Sequence, residues 1–266
     1  MDVLRRNNVT LAGRADGPPM IFAHGFGCDQ TMWRHVVPAF ADSHRIVLFD
    51  HVGAGGSDLA AFDPDRYRRL QGYAGDVIEI LDTLALLPAV FVGHSVSAII
   101  GALAAIERPE LFDRLVLVVP SPRYIDDVGY RGGFTRAEID ELLETMDGNY
   151  LGWSAHIAPV IMGVPDRPEL AQELTSSFCR TDPAIARHFA RTTFLSDNRG
   201  DLDKVRTPSL VLQCRKDVIA PMDVGEFVHA HLSGSELVVL DATGHCPNLS
   251  APDQVVAAMR RYLSGR

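Results

Sequence analysis

Six short runs, "PMIFAHG", "HRIVLFD", "AVFVGHS", "RLVLVVP", "PSLVLQC" and "SELVVLD", recur along the chain, each nearly continuous in Val, Ile, Leu and Phe. A strand with one wet face alternates apolar and polar residues, so runs without alternation belong to strands covered on both sides. Between them lie "GYAGDVIEILDTLALL" and "VSAIIGALAAIERP", with apolar residues at helical spacing, and "APDQVVAAMRRYL" closes the chain as an amphipathic helix. Strand, helix and strand in succession predict a doubly wound α/β architecture around a mostly parallel sheet. The 266 residues suffice for one such domain with room for an inserted subdomain.

One region breaks the alternation. From about Arg123 to Asn198 no strand is evident, while "TRAEIDELLETMDGNYLGW", "RPELAQELTSSF" and "PAIARHFARTTF" read as successive helices separated by Gly, Pro and Asp. A helical insertion between strands of such a sheet sits over the strands' carboxyl ends or at an edge. Ligands bind at those ends, so the insertion is expected to cap a pocket.

Ser95 follows the run "AVFV" and precedes the helical "VSAIIGALAAI". That is the strand-turn-helix setting in which G-x-S-x-G exposes a nucleophilic serine on a sharp turn. Gly93 meets the demand for a small residue at −2, whereas Ser97 stands where glycine is usual at +2 and meets it only approximately. A serine hydroxyl needs a base oriented by a carboxylate. Asp217, in "RKDVIAP" after the fifth run, and His245, in "ATGHCPNLSAPD" after the sixth, follow in the order nucleophile, acid, base. Asp241 is an alternative orienter, and His94 is expected to pack beneath the turn. His35, His44, His51, His156, His188, His229 and His231 read as surface or packing residues. The glycine-rich "AHGFGCD" after the first run places the Phe26 amide where it can face the site, with the Val96 amide as its partner in an oxyanion hole. "DHVGAGGSD" is a further glycine-rich turn whose spacing does not match a dinucleotide fingerprint.

Hydrophobic residues make up 47% of the chain and charged residues 22%, which excludes a disordered or fibrous protein. A net charge of −9 without a basic run disfavours nucleic acid and anionic membranes as partners. The first residues lack the apolar stretch of a secretion signal, and no run approaches the roughly 18 residues that cross a bilayer, so a cytoplasmic location is expected. Cys28, Cys179, Cys214 and Cys246 are scattered, with no metal-ligand spacing, and are expected as free thiols. The chemistry requires no metal and no organic cofactor.

The blocks "HGFGCDQTMW", "VLFDHVGAGGSD", "FVGHSVSA", "RPELFDRLVLVVPSPRYIDD", "SDNRGDL", "LQCRKDVIAP" and "GHCPNLS" together resemble the RsbQ group of α/β hydrolases, bacterial relatives of the plant strigolactone and karrikin receptors. The resemblance runs from about residue 3 to 263, and the G-H-S-V-S-A block is similar to that of the plant receptors. It implies an α/β-hydrolase core of residues 1–123 and 196–266, with a four-helix lid over 124–195. It also implies a mostly apolar pocket around Ser95 lined by Phe26, Tyr124, Phe134, Trp153, Ile157, Phe194 and Val218.

Two functional classes follow. One is a serine hydrolase of a small hydrophobic ester or lactone acting through an acyl-enzyme. The other is a ligand sensor of the stress-signalling type, in which turnover is slow and the lid passes the signal to a protein partner such as a PAS-domain phosphatase. Aspartate-nucleophile dehalogenases and epoxide hydrolases are disfavoured by Ser95. Cofactor-free haloperoxidases and carbon-carbon hydrolases share the serine triad and stay open. A monomer is the default for the group.

Overall fold

The computed structural model describes residues 2–265. Seven strands form one sheet in the order β1-β3-β2-β4-β5-β6-β7: β1 (Thr10–Gly13), β2 (Pro19–Ala23), β3 (Arg45–Phe49), β4 (Ala89–His94), β5 (Phe112–Val118), β6 (Ser209–Lys216) and β7 (Glu236–Thr243). The last six correspond to the six apolar runs and pair in parallel. The edge strand β1 was not anticipated. It pairs antiparallel to β3, and all four of its residues are exposed, so it carries no apolar signal.

Alternate residues of each central strand serve two separate cores. Met20, Phe22, Val90 and Val92 face one cluster, completed by Trp33 and by α10 (Pro252–Ser264). Ile21, Ala23 and Phe91 face the other, completed by α2 (Leu70–Leu84) and α3 (Val96–Glu107). This double burial is what the unbroken apolar runs encode. Helix α3 is buried on nearly all sides, as a helix without a polar face must be. The short α1 (Val3–Arg6) precedes β1, while α8 (Met222–His231) and α9 (Pro247–Ser250) fall after β6 and β7.

Between β5 and β6 the chain forms four helices: α4 (Arg136–Gly148), α5 (Tyr150–Met162), α6 (Pro168–Arg180) and α7 (Pro183–Phe194). The stretch read as one helical segment through Trp153 divides at Asn149, whose side chain accepts from the Gly152 amide and so caps α5. Helix α4 starts from a reciprocal capping box of Thr135 and Glu138. Helix α5 contains Pro159 and ends at Gly163 in the left-handed region. Ion pairs Arg34–Glu173 and Arg180–Asp29 tie α6 to the loop after β2.

The chain passes from β2 outward to β3, then returns to place β4 on the other side of β2. The loops after β2 and β4 diverge there and leave a crevice at the carboxyl ends. Phe26 and Ser95 lie on its two sides.

A candidate hydrolytic site beneath the helical insertion

Ser95 occupies φ 57°, ψ −122°, between β4 and α3. Its amide donates to the Val118 carbonyl over 2.8 Å, which holds the turn against the end of β5. Gly93 is obligatory here: a Cβ would lie 2.5 Å from the Ser97 carbonyl oxygen. The Ser95 hydroxyl donates to His245 Nε2 at 2.7 Å, and His245 Nδ1 donates to Asp217 Oδ2 at 2.7 Å. All three side chains are buried. The second Asp217 oxygen accepts from the amides of Ile219 (2.8 Å) and Ala220 (3.2 Å), so the carboxylate is fixed by its own loop. Asp241, the alternative orienter, is 86% exposed at its side chain and pairs with Arg215. It does not meet His245.

His94 does more than fill space under the turn. Its Nε2 donates to the His245 carbonyl at 2.7 Å, linking the two loops that carry Ser95 and His245. Burial, reinforced by the neighbouring His245, pushes His94 down to about 3, so the ring is neutral. The Phe26 and Val96 amides donate to no protein acceptor among the described residues. Both sit at the ends of the loops that flank Ser95, where a developing oxyanion would need donors.

A narrow, largely enclosed cavity opens above Ser95. Phe26, Tyr124, Phe134, Trp153, Ile157 and Phe194 all line it. Val218 does not: it is 56% exposed, and the neighbouring Ile219 occupies the wall instead. The two are neighbours in the tight turn that Asp217 holds through the Ile219 amide, where successive side chains diverge. The sequence reading also missed Leu142, Ile161 and Leu174 from the insertion, and Cys28 and Cys246 beside the Phe26 and His245 blocks. Adjacency to those blocks was the one available signal for the two cysteines. Phe26 contacts the rings of Trp153, Phe178, Phe189 and Phe194, joining the core loop to α5, α6 and α7. The Tyr124 hydroxyl lies 3.4 Å from Ser95 Oγ. Burial raises Tyr124 to about 12, so it stays a neutral donor. Cys28 is pushed up to about 12 by burial, which makes it an inert thiol in the wall.

No group of three or more His, Cys, Asp or Glu forms a metal-binding cluster among the described residues. No helix of the described residues is long and apolar enough to cross a membrane.

Fold and site together define a hydrolase of the α/β class, and residues 20–258 match the model of the alpha/beta hydrolase family. The chain belongs to that family. It is 41% identical over 263 residues to a strigolactone esterase of Arabidopsis thaliana, covering 98% of each protein. It is 40% identical to the karrikin insensitive 2 receptor CA of Petunia hybrida, covering 97% of this chain and 95% of the receptor. The solved structure of a hydrolase from Oleispira antarctica superposes with a TM-score of 0.96 at 38% identity, covering 100% of this chain and 97% of that one.

Proposed function

We propose that this α/β hydrolase cleaves a small, largely apolar ester or lactone through an acyl-enzyme on Ser95. The observation that carries the reading is the unbroken chain of hydrogen bonds from Ser95 Oγ through the His245 ring to Asp217, each 2.7 Å long. His245 removes the Ser95 proton as the oxygen attacks the carbonyl carbon. Asp217 keeps the imidazole in the tautomer with a free Nε2 lone pair and stabilises the imidazolium that forms. The amides of Phe26 and Val96 hold the oxyanion, and the Tyr124 hydroxyl adds a donor beside the nucleophile. His245 then protonates the leaving alkoxide, and a water activated by the same ring releases the acid. The aromatic wall selects for an apolar substrate, because a charged one would be desolvated there without a partner. In a lactone the leaving alkoxide stays tethered, so both ends of the product must fit the one cavity.

Ligand sensing is a second role of the same site, favoured by the 40% identity to a petunia receptor and by the share of the cavity wall that the insertion supplies. In that role residues 124–195 act as a lid over the core of 1–123 and 196–266, and an occupied pocket changes the surface offered to a protein partner. Four unpaired cysteines agree with a reducing, cytoplasmic setting.

The test is turnover of p-nitrophenyl acetate and of a panel of butenolides and short lactones. Ser95→Ala abolishes turnover and labelling by a fluorophosphonate while far-UV circular dichroism is unchanged. Asp217→Asn lowers kcat by about 10³ to 10⁴, whereas Asp241→Asn leaves it untouched. Turnover retained in Ser95→Ala removes the serine from its role. Partner capture that is indifferent to ligand removes the sensing role.

A further inference from the structure

Ser97 stands where the common form of the turn has glycine, and its hydroxyl is fully buried. Ser97 Oγ lies 2.5 Å from the His24 carbonyl oxygen and 2.7 Å from His51 Nε2. A carbonyl only accepts, so the single serine proton goes to His24, and the serine oxygen must accept from His51 Nε2–H. That assignment leaves His51 Nδ1 as a bare lone pair, in agreement with its having no partner. The loop is closed by the His51 amide, which donates to His24 Nε2 at 3.0 Å, while His24 Nδ1 donates to the Gly25 carbonyl at 2.9 Å. Edge-to-face contacts with the rings of Phe49, Tyr73 and Phe189 surround the His51 ring.

Three loops therefore meet in one closed ring of hydrogen bonds: the loop after β2 through His24, the loop after β3 through His51, and the first turn of α3 through Ser97. Phe26, whose amide serves the oxyanion in the reading above, follows His24 by two residues. We propose that Ser97 and His51 are positioning residues that clasp the loop after β2 and set the Phe26 amide at the distance from Ser95 that the oxyanion requires. The inference rests on the ester-hydrolase reading for its catalytic consequence. The clasp restrains a donor that acts only when charge develops on the substrate oxygen. Its loss is therefore read in kcat and not in KM. A displacement of about 1 Å in such a group costs on the order of 10²-fold.

His51→Phe keeps a ring and removes the donor, whereas His51→Gln returns an N–H close to the Nε2 position. Ser97→Gly removes the acceptor and restores the commoner motif. With p-nitrophenyl acetate, His51→Phe and Ser97→Gly lower kcat by about 10- to 100-fold with KM within about twofold. Inhibition by phenylboronic acid, whose tetrahedral adduct occupies the oxyanion site, weakens in parallel. His51→Gln returns kcat to within about threefold of the parent, an outcome that ring packing alone does not produce. Hydrogen-deuterium exchange of the segment 24–28 quickens in His51→Phe and Ser97→Gly and not in His51→Gln, which reads the clasp without reference to turnover. The proposal is overturned if both lesions keep kcat within twofold, if His51→Gln falls as far as His51→Phe, or if exchange is unchanged. Turnover surviving in Ser95→Ala would instead strike at the hydrolase reading, with the exchange measurement still deciding the clasp.

Discussion

Ser95 carries a φ of 57° with ψ −122°, a conformation that a side chain rarely adopts and that costs on the order of 1–3 kcal/mol. The turn is imposed from outside, by the Val118 carbonyl that takes the Ser95 amide and by the absence of a Cβ at Gly93. In the proposed mechanism the strain serves the nucleophile, since the turn carries the hydroxyl that meets His245. Glycine adopts this conformation without penalty. Ser95→Gly is therefore expected to melt higher than Ser95→Ala, by about 1 kcal/mol of stability, although both lack turnover. Equal melting temperatures would show that the turn is relaxed. The candidate triad was legible at this scale because its members stand in recognisable blocks after three strand ends. The choice between Val218 and Ile219 was not, because neighbours in a loop are separated only by the direction of the turn.

At the scale of elements, the insertion and the His245 loop are locked together. The His245 amide donates to the Ile161 carbonyl near the end of α5 at 2.8 Å. A Cβ on Gly244, whose φ is 92°, would lie 1.9 Å from the Met162 carbonyl oxygen. Gly163, the C-terminal cap of α5, packs on Gly244 in turn. Displacement of α5 thus pulls on the loop that carries the proposed base, which gives the proposed sensing role a physical route from the cavity to the insertion. Gly244→Ala is expected to destabilise the protein by more than about 1 kcal/mol through the positive φ and the collision. It should also lower kcat, with faster hydrogen exchange concentrated at the end of α5. Uniform destabilisation with full kcat would show that the contact transmits nothing. The helices of the insertion were readable from their periodicity, but their division at Asn149 was not, because a polar residue inside a periodic stretch does not announce a cap.

For the whole molecule, two neutral histidines link stability to pH. His94 is held down to about 3 by burial and by His245, and His51 is held well below its ordinary value by burial and by His24. In the unfolded chain both titrate near 6.5. Below that pH the unfolded chain takes up protons that the folded protein refuses, so stability is full above about 6.5 and falls as the pH drops toward His94's depressed value. Each histidine contributes a slope of about 1.4 kcal/mol per pH unit. Asp76 opposes this at the acid end, since burial raises it despite the salt bridges with Arg6 and Arg66. Denaturant melts at pH 7, 6 and 5 are expected to show falling stability, with a shallower slope in His51→Gln. An identical slope in that variant would show that His51 takes up its proton equally in the folded and unfolded chain.

The sequence by itself determined the layered architecture and the order of its six parallel strands along the chain, because burial on both sheet faces calls for short unbroken apolar runs, whereas the exposed edge strand β1 left no such signal. It also pointed to the loops that carry the proposed reacting groups, since the motifs stand directly at strand ends. Only the tertiary structure decided which cavity-wall residues turn inward, how α5 reaches the His245 loop, and that His51 grips Ser97. The last two contacts join residues 84 and 46 positions apart through single hydrogen bonds, Ile161 with His245 and Ser97 with His51. Geometry of that kind exists only once the sheet has brought the loops to one edge.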